Sequence, residues 1–181
     1  MVKGTAFVNL RDCLLARFGS EGLDAFMARR SPHDVQELRS VLAVGWYDLA
    51  LETRLLEAVD RELGDGQGTL LAEFGPVYAE RDLTRVHRLF LRLANPAYVL
   101  EKAGEYWGRF YNTGTWHVER LGDTGARGTL SGFSTYAGYC QFLTAYLRRL
   151  FELAGARSVV VEHPACKHRG RAACVFVARW A

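Results

Sequence analysis

Apolar positions at helical spacing dominate the first part of the chain. Leu14, Leu15 and Phe18 share one face, Gly19 to Gly22 break the pattern, and Leu23, Phe26 and Met27 resume it, which predicts two short helices. Ser31-Pro32 followed by Asp34 supplies a capping hydroxyl, a proline at the first helical position and an acid in the first turn, so a third helix is expected from Pro32 to about Val41. From Tyr47 onward, Leu49, Leu56, Val59 and Leu63 form the most regular stripe, with Glu52, Arg54, Asp60 and Arg61 on other faces and Gly64-Asp65-Gly66 as the stop. Thr69 to Glu80 and Asp82 to Leu93 read as two further helices, the first kinked or interrupted by Gly75-Pro76. Asn95-Pro96 then caps a helix running to about Tyr111.

The pattern changes after Asn112. Thr113 to Leu121 is rich in Thr, Trp and Val, residues 122 to 125 have turn composition, and Gly128 to Ser134 is a second extended segment. Tyr136 to Ala154 carries a long apolar stripe ended by Gly155, and Ser158 to Glu162 and Ala173 to Arg179 read as strands joined by a basic loop. The C-terminal order is therefore strand, strand, helix, strand, strand. An α+β fold follows, with the helical N-terminal two thirds packed on a C-terminal antiparallel sheet in one domain over residues 1–181.

Composition narrows the function classes. A hydrophobic fraction of 49% with 24% charged residues is that of a folded globular chain. The net charge of +3 is spread over the sequence, with paired arginines at Arg29-Arg30 and Arg148-Arg149 but no long basic block, so no nucleic-acid partner is expected. No apolar run approaches the ~20 residues of a membrane span, and Met1 to Leu10 has no signal-type pattern, so the expected location is cytoplasmic and away from membranes. Three of the four cysteines fall after residue 139, which fits a metal site or buried thiols better than a disulfide framework.

The chemistry-bearing stretch is VEHPACKHRGRAACVFV, residues 161–177. His163 ends one strand, Cys166 and His168 lie in the loop and Cys174 opens the return strand. Zn²⁺ takes four tetrahedral ligands from thiolate and imidazole, and Cys140 at the head of the long helix is available as a further donor. The wide step from Cys166 to Cys174 is not a tight C-x-x-C knuckle, and the alternative is that Cys140 and Cys174 are small buried hydrophobes with His163 and His168 solvated in the loop. Aromatics crowd the region from Tyr98 to Tyr146. Tyr106, Trp107, Trp116 and Phe133 are expected to border a ligand pocket between the Pro96 helix and the sheet, the plainer alternative being that they fill the core. No Gly-x-Ser-x-Gly elbow, Walker loop, dinucleotide fingerprint or His-Glu-x-x-His occurs, which favours a binder over an enzyme.

In element order and in the glycine-containing loop between two cysteines, roughly the last 75 residues resemble the 4-vinyl reductase domain. That module is a small-molecule sensor in a superfamily with the haem nitric-oxide-binding domain and a Golgi transport subunit. Cys140, Cys166 and Cys174 match its cysteine positions, and His163 stands where its acid would be, leaving His163 or Glu162 as fourth ligand. The resemblance implies a non-catalytic sensor for a small apolar or aromatic molecule with a structural zinc site, acting through a homodimer or a regulatory partner. A protein-interaction module like the Golgi subunit is one alternative, and a haem-based gas sensor is the other. The opening residues, MVKGTAFVNLRDCLLARFGSEGLDAFM, also resemble the haem nitric-oxide-binding domain and a myxobacterial family of unknown function. His87 is available as an axial ligand, but the Tyr-x-Ser-x-Arg strand that holds the propionates is missing, so haem is not expected.

Overall fold

A computed structural model describes residues 1–83 and 96–181. Its first helix, α1 (Thr5–Ala28), spans both predicted apolar runs, because Gly19 absorbs the break as a kink with φ 72° and ψ −179°. A side chain disfavours that conformation, and glycine adopts it freely. Leu14 is buried while Leu15 is 47% exposed, so the two do not share the inward face. In α2 (Pro32–Ser40) the Ser31 hydroxyl accepts from the Asp34 N–H at 3.1 Å, the expected cap.

Val2–Lys3 (β1) pairs antiparallel with Trp46–Tyr47 (β2). Two-residue strands carry no periodicity, and the sequence pattern did not predict them. Asp48 caps α3 (Leu49–Leu63), accepting from the Ala50 N–H at 2.9 Å. This helix buries Leu51, Leu55, Leu56 and Val59, but it also buries Glu52 and Asp60, which the stripe had assigned to polar faces. Helix α4 (Thr69–Asp82) runs unbroken through Gly75-Pro76. Gly75 brings α4 against a later helix: a Cβ there would lie 2.6 Å from the Phe142 carbonyl oxygen and 2.8 Å from the Tyr146 nitrogen. The expected helix from Asp82 to Leu93, with Asn95, lies outside the described residues apart from its first two positions. Helix α5 (Pro96–Trp107) stops short of Tyr111.

Strands β3 (Thr115–Arg120) and β4 (Gly125–Ser131), helix α6 (Tyr139–Leu153), and strands β5 (Val160–Ala165) and β6 (Cys174–Arg179) follow the expected order. The four strands form one antiparallel sheet in the order β3-β4-β6-β5. Leu130 stands opposite both Trp116 on β3 and Cys174 on β6, so the register carries the aromatic strand and the cysteine strand on the same central partner. Between Glu162 and Ala165 the β5–β6 register shifts, a bulge that re-aims the chain entering the Cys166 loop. Helices lie on this sheet, giving the α+β architecture. The main buried cluster joins Phe7 of α1, Leu55 of α3, Phe74 of α4, Phe142 of α6 and Phe176 of β6. Among the described residues no helix is long and apolar enough to cross a membrane.

Candidate ligand cavity and thiol cluster

A cavity of about 370 Å³ lies among α4, α5, α6 and β3. Of the four residues expected at a pocket, Tyr106 and Trp107 of α5 and Trp116 of β3 line it. Phe133 does not. It packs edge-on behind the wall, against Trp107 at 4.9 Å and Tyr111 at 5.0 Å between ring centroids. Helix α6 supplies a face the sequence reading missed, Tyr139, Phe142 and Tyr146. Their i, i+3, i+7 spacing was visible, but an apolar stripe on a long helix reads as core and gives no sign of a void beside it.

Two carboxyl groups lie in or beside this wall. Asp82, the last residue of α4, accepts from Asn9 Nδ2 at 2.9 Å and from the Tyr146 hydroxyl at 3.3 Å. The residue is half-buried, with part of its surface on the cavity, and enclosure of its carboxyl pushes the pKa up to about 7 against those hydrogen bonds. Glu52 is 3% exposed. Tyr139 donates to the Tyr111 hydroxyl at 2.9 Å and Tyr111 donates to Glu52 Oε1 at 3.0 Å, while Oε2 has no partner. Burial pushes Glu52 up to about 8 despite the Tyr111 bond. Lys102 and Arg109 at the exposed rim both face Glu105, at 2.9 and 3.7 Å.

The second constellation is the cysteine cluster. Cys140 Sγ lies 3.8 Å from Cys166 Sγ and 3.8 Å from Cys174 Sγ, and one donor atom from each of these residues and His163 falls within 4.8 Å of the others. Two zinc–sulfur bonds of about 2.3 Å at the tetrahedral angle hold their sulfurs about 3.8 Å apart. The three cysteines are buried and none forms a disulfide. His163 Nε2 is buried without a hydrogen-bond partner. Burial, then the charges of Arg169 and His168, hold this imidazole below its usual pKa. Burial and the two neighbouring thiols push Cys140 up. At Cys166 burial also raises the pKa, but hydrogen bonds led by the His168 backbone outweigh it and the thiol sits below its usual range. Glu162 is exposed and, one position away on the strand, on the opposite face from His163, so the acid is not part of the cluster. His168 sits in the short 3₁₀ turn Lys167–Arg169, outside it. His87, the axial candidate, lies outside the described residues.

A column of stacked rings connects the two constellations. His163 lies on Phe176 (4.5 Å), Phe176 on Trp116 (5.7 Å), Trp116 on Trp107 (5.9 Å) and Trp107 on Tyr111 (4.4 Å). Gly128 makes room for it, since a Cβ there would lie 2.6 Å from the Trp116 ring.

No family model and no curated protein sequence matches this chain. Solved structures do. An H-NOX protein from S. oneidensis in its Fe(II)NO state superposes with a TM-score of 0.75 at 16% identity, over 99% of each chain. An Fe(II) unliganded H-NOX protein from K. algicida gives 0.74 at 14% identity, over 99% of this chain and 96% of that one. An oxygen-binding H-NOX domain related to soluble guanylate cyclases gives 0.67 at 11%, over 98% of this chain and 94% of that one. These likenesses correct two expectations. The resemblance of roughly the last 75 residues to the 4-vinyl reductase domain gives way to a whole-chain match with H-NOX structures, the haem nitric-oxide-binding group that the opening residues had pointed to. The exclusion of haem on the missing Tyr-x-Ser-x-Arg strand does not stand either, because the whole-chain neighbours are H-NOX structures, two of them in Fe(II) states and one an oxygen complex. At these identities the likeness speaks to architecture, and the chain has the H-NOX fold from end to end.

Proposed function

We propose that this chain is a small-molecule-sensing domain of the haem gas-sensor kind, with the aromatic cavity as its ligand site. The observation that carries the reading is a cavity of about 370 Å³, walled by aromatic rings, inside a fold shared with iron-ligating H-NOX proteins. The wall suits a flat apolar ring system: Trp107 and Trp116 stack with planes 18° apart, and Phe142 and Tyr146 close the helix side. Lys102 and Arg109 at the rim suit the anionic arms of a porphyrin. The described lining offers phenols and the carboxyls of Asp82 and Glu105 as oxygen donors and no histidine, so His87 would be the candidate imidazole for the iron. When bound, haem would supply an iron centre for a diatomic gas, and the chain's own residues would enclose the ring and exclude water. Titrating the purified chain with haemin tests this. A stoichiometric Soret band that weakens in His87→Ala is expected, and the absence of any stoichiometric uptake would overturn the reading.

A second observation favours a metal ion at the thiol cluster. We propose that Cys140, His163, Cys166 and Cys174 together bind one divalent ion that ties α6 to the β5–β6 loop. The supporting geometry is the pair of 3.8 Å sulfur separations and the unpartnered His163 Nε2. Elemental analysis of protein prepared without added metal, beside a Cys174→Ser variant, tests it. One equivalent in the parent and none in the variant is the expected result; less than a tenth of an equivalent in both, even after Zn²⁺ is supplied, would count against it.

A further inference from the structure

Asp82 is a carboxyl in an aromatic cavity that no cation among the described residues answers. Both its hydrogen-bond donors are neutral, the Asn9 amide and the Tyr146 phenol. Among the described residues no lysine, arginine or histidine pairs with it. Its sequence neighbour Arg81 turns away to Asp12 at 2.7 Å. Lys102 and Arg109, the cations of the described lining, face Glu105 at the rim.

An enclosed carboxyl has two ways to lower its free energy, a proton or a positive partner. The surroundings favour the second kind of occupant. Rings present negative π faces that attract ammonium groups, and Trp107 and Tyr146 stand in the same wall as Asp82. A carboxylate accepts at about four lone-pair positions, and Asn9 and Tyr146 take two of them, so N–H groups of a ligand still have acceptors. An anion would meet Asp82 as a like charge. A neutral alcohol would gain a hydrogen bond but leave the charge uncompensated.

We propose that the cavity takes an organic cation, a primary or secondary ammonium on an aromatic body, with its N–H groups on Asp82 and its ring against Trp107 and Trp116. The proposal rests on the cavity being the ligand site and goes beyond haem, naming a second occupant that competes for the same space. A volume of about 370 Å³ has room for such a molecule.

The test compares three probes of one shape on the full chain: phenethylammonium, the neutral 2-phenylethanol and the anionic 3-phenylpropionate. Calorimetry and the fluorescence of Trp107 and Trp116 read binding. The ammonium should bind at least tenfold more tightly than the alcohol, the anion should bind least, and haemin should displace the ammonium. Asp82→Asn should abolish the preference for the ammonium while leaving alcohol binding within twofold, and Glu105→Gln at the rim should leave the preference in place. A preference that survives Asp82→Asn, or none in the parent chain, overturns the proposal. If the alcohol or haemin still binds, the cavity stands as a ligand site. If no probe and no haemin binds, both readings fall. Should Asp82→Asn not fold, the parent chain's preference between ammonium and alcohol decides alone.

Discussion

His163 lies flat on Phe176, with ring centroids 4.5 Å apart and planes 12° from parallel. The stack fixes the imidazole beside the three thiols, so Phe176 acts as a supporting residue for a donor it does not itself provide. Zn²⁺ added to the metal-depleted chain should therefore raise its thermal midpoint, by the equivalent of about 2.7 kcal/mol at a free concentration a hundredfold above Kd. Cys140→Ser should abolish the gain. Cys13→Ser, a buried thiol of α1 outside the cluster, should leave it intact. Phe176→Leu keeps all four donors and should weaken zinc affinity by about 10–100-fold. Equal gains in parent and Cys140→Ser would show that the metal acts elsewhere.

Glu52 gives a pH prediction with a definite sign. Burial raises its folded-state pKa from 4.5 to about 8, so the folded chain holds a proton that the unfolded chain has released across that interval. Its contribution to stability is fully present below about pH 4.5 and is lost as pH rises through about 8. Glu52→Gln retains an acceptor for the Tyr111 hydroxyl and removes the titration. Denaturant unfolding from pH 5 to 9 should give a shallower decline for the variant, by on the order of 1 kcal/mol per pH unit, and a more stable variant at the alkaline end. Parallel stability profiles would mean that Glu52 does not retain its proton in the fold.

Gly75 sets how closely α4 approaches α6. Its missing Cβ would contact backbone, the Phe142 oxygen at 2.6 Å and the Tyr146 nitrogen at 2.8 Å, and backbone atoms of a helix yield little. Gly75→Ala should cost about 1–3 kcal/mol by overpacking. It should also disturb the cavity, since α6 carries part of that wall through Phe142 and Tyr146. Gly104→Ala on α5 is the contrast. The nearest atom there is the Trp116 oxygen at 3.4 Å, so the substitution should be neutral or stabilise by about 0.5–1 kcal/mol through helix propensity. Chemical denaturation of the two variants side by side separates the effects.

The cysteine cluster was legible only in part: the strand, helix, strand order allows residues 140, 166 and 174 to converge, but their wide spacing also fits separate buried thiols. The four-stranded sheet was legible because its turns and β-branched runs are local signals. Asp82 and Glu52 were not legible. An acid on a helix reads as a solvated residue until another element covers it, and what covers these two comes from Tyr111, Tyr139 and Tyr146, far along the chain. The α4 continuity failed for the opposite reason: Gly75-Pro76 is a local breaker overridden by packing against α6. Phe133 shows the limit of composition, since density of aromatics locates a wall without saying which ring faces the void.

Asp60 carries the last prediction. It is fully buried near the end of α3, and both its carboxylate oxygens accept from the Gly68 N–H, at 3.0 and 2.9 Å, while the Tyr136 hydroxyl donates to Oδ2. Gly68 has φ 84° and precedes α4 directly, so this carboxylate holds the turn that launches α4 and, through Tyr136, the segment that launches α6. Asp60→Asn replaces one acceptor by an N–H₂ group that faces donors, leaving buried donors unsatisfied at a cost of about 1–3 kcal/mol. Tyr136→Phe removes a single donor and should cost less, and the double variant should lose less than the two single losses added, because Tyr136 has lost its main acceptor already. Hydrogen exchange gives the local readout: the Gly68 amide should be protected in the parent chain and exchange faster in Asp60→Asn than in Tyr136→Phe. Unchanged protection at Gly68 would mean that the turn is held by its own backbone and not by the buried carboxylate.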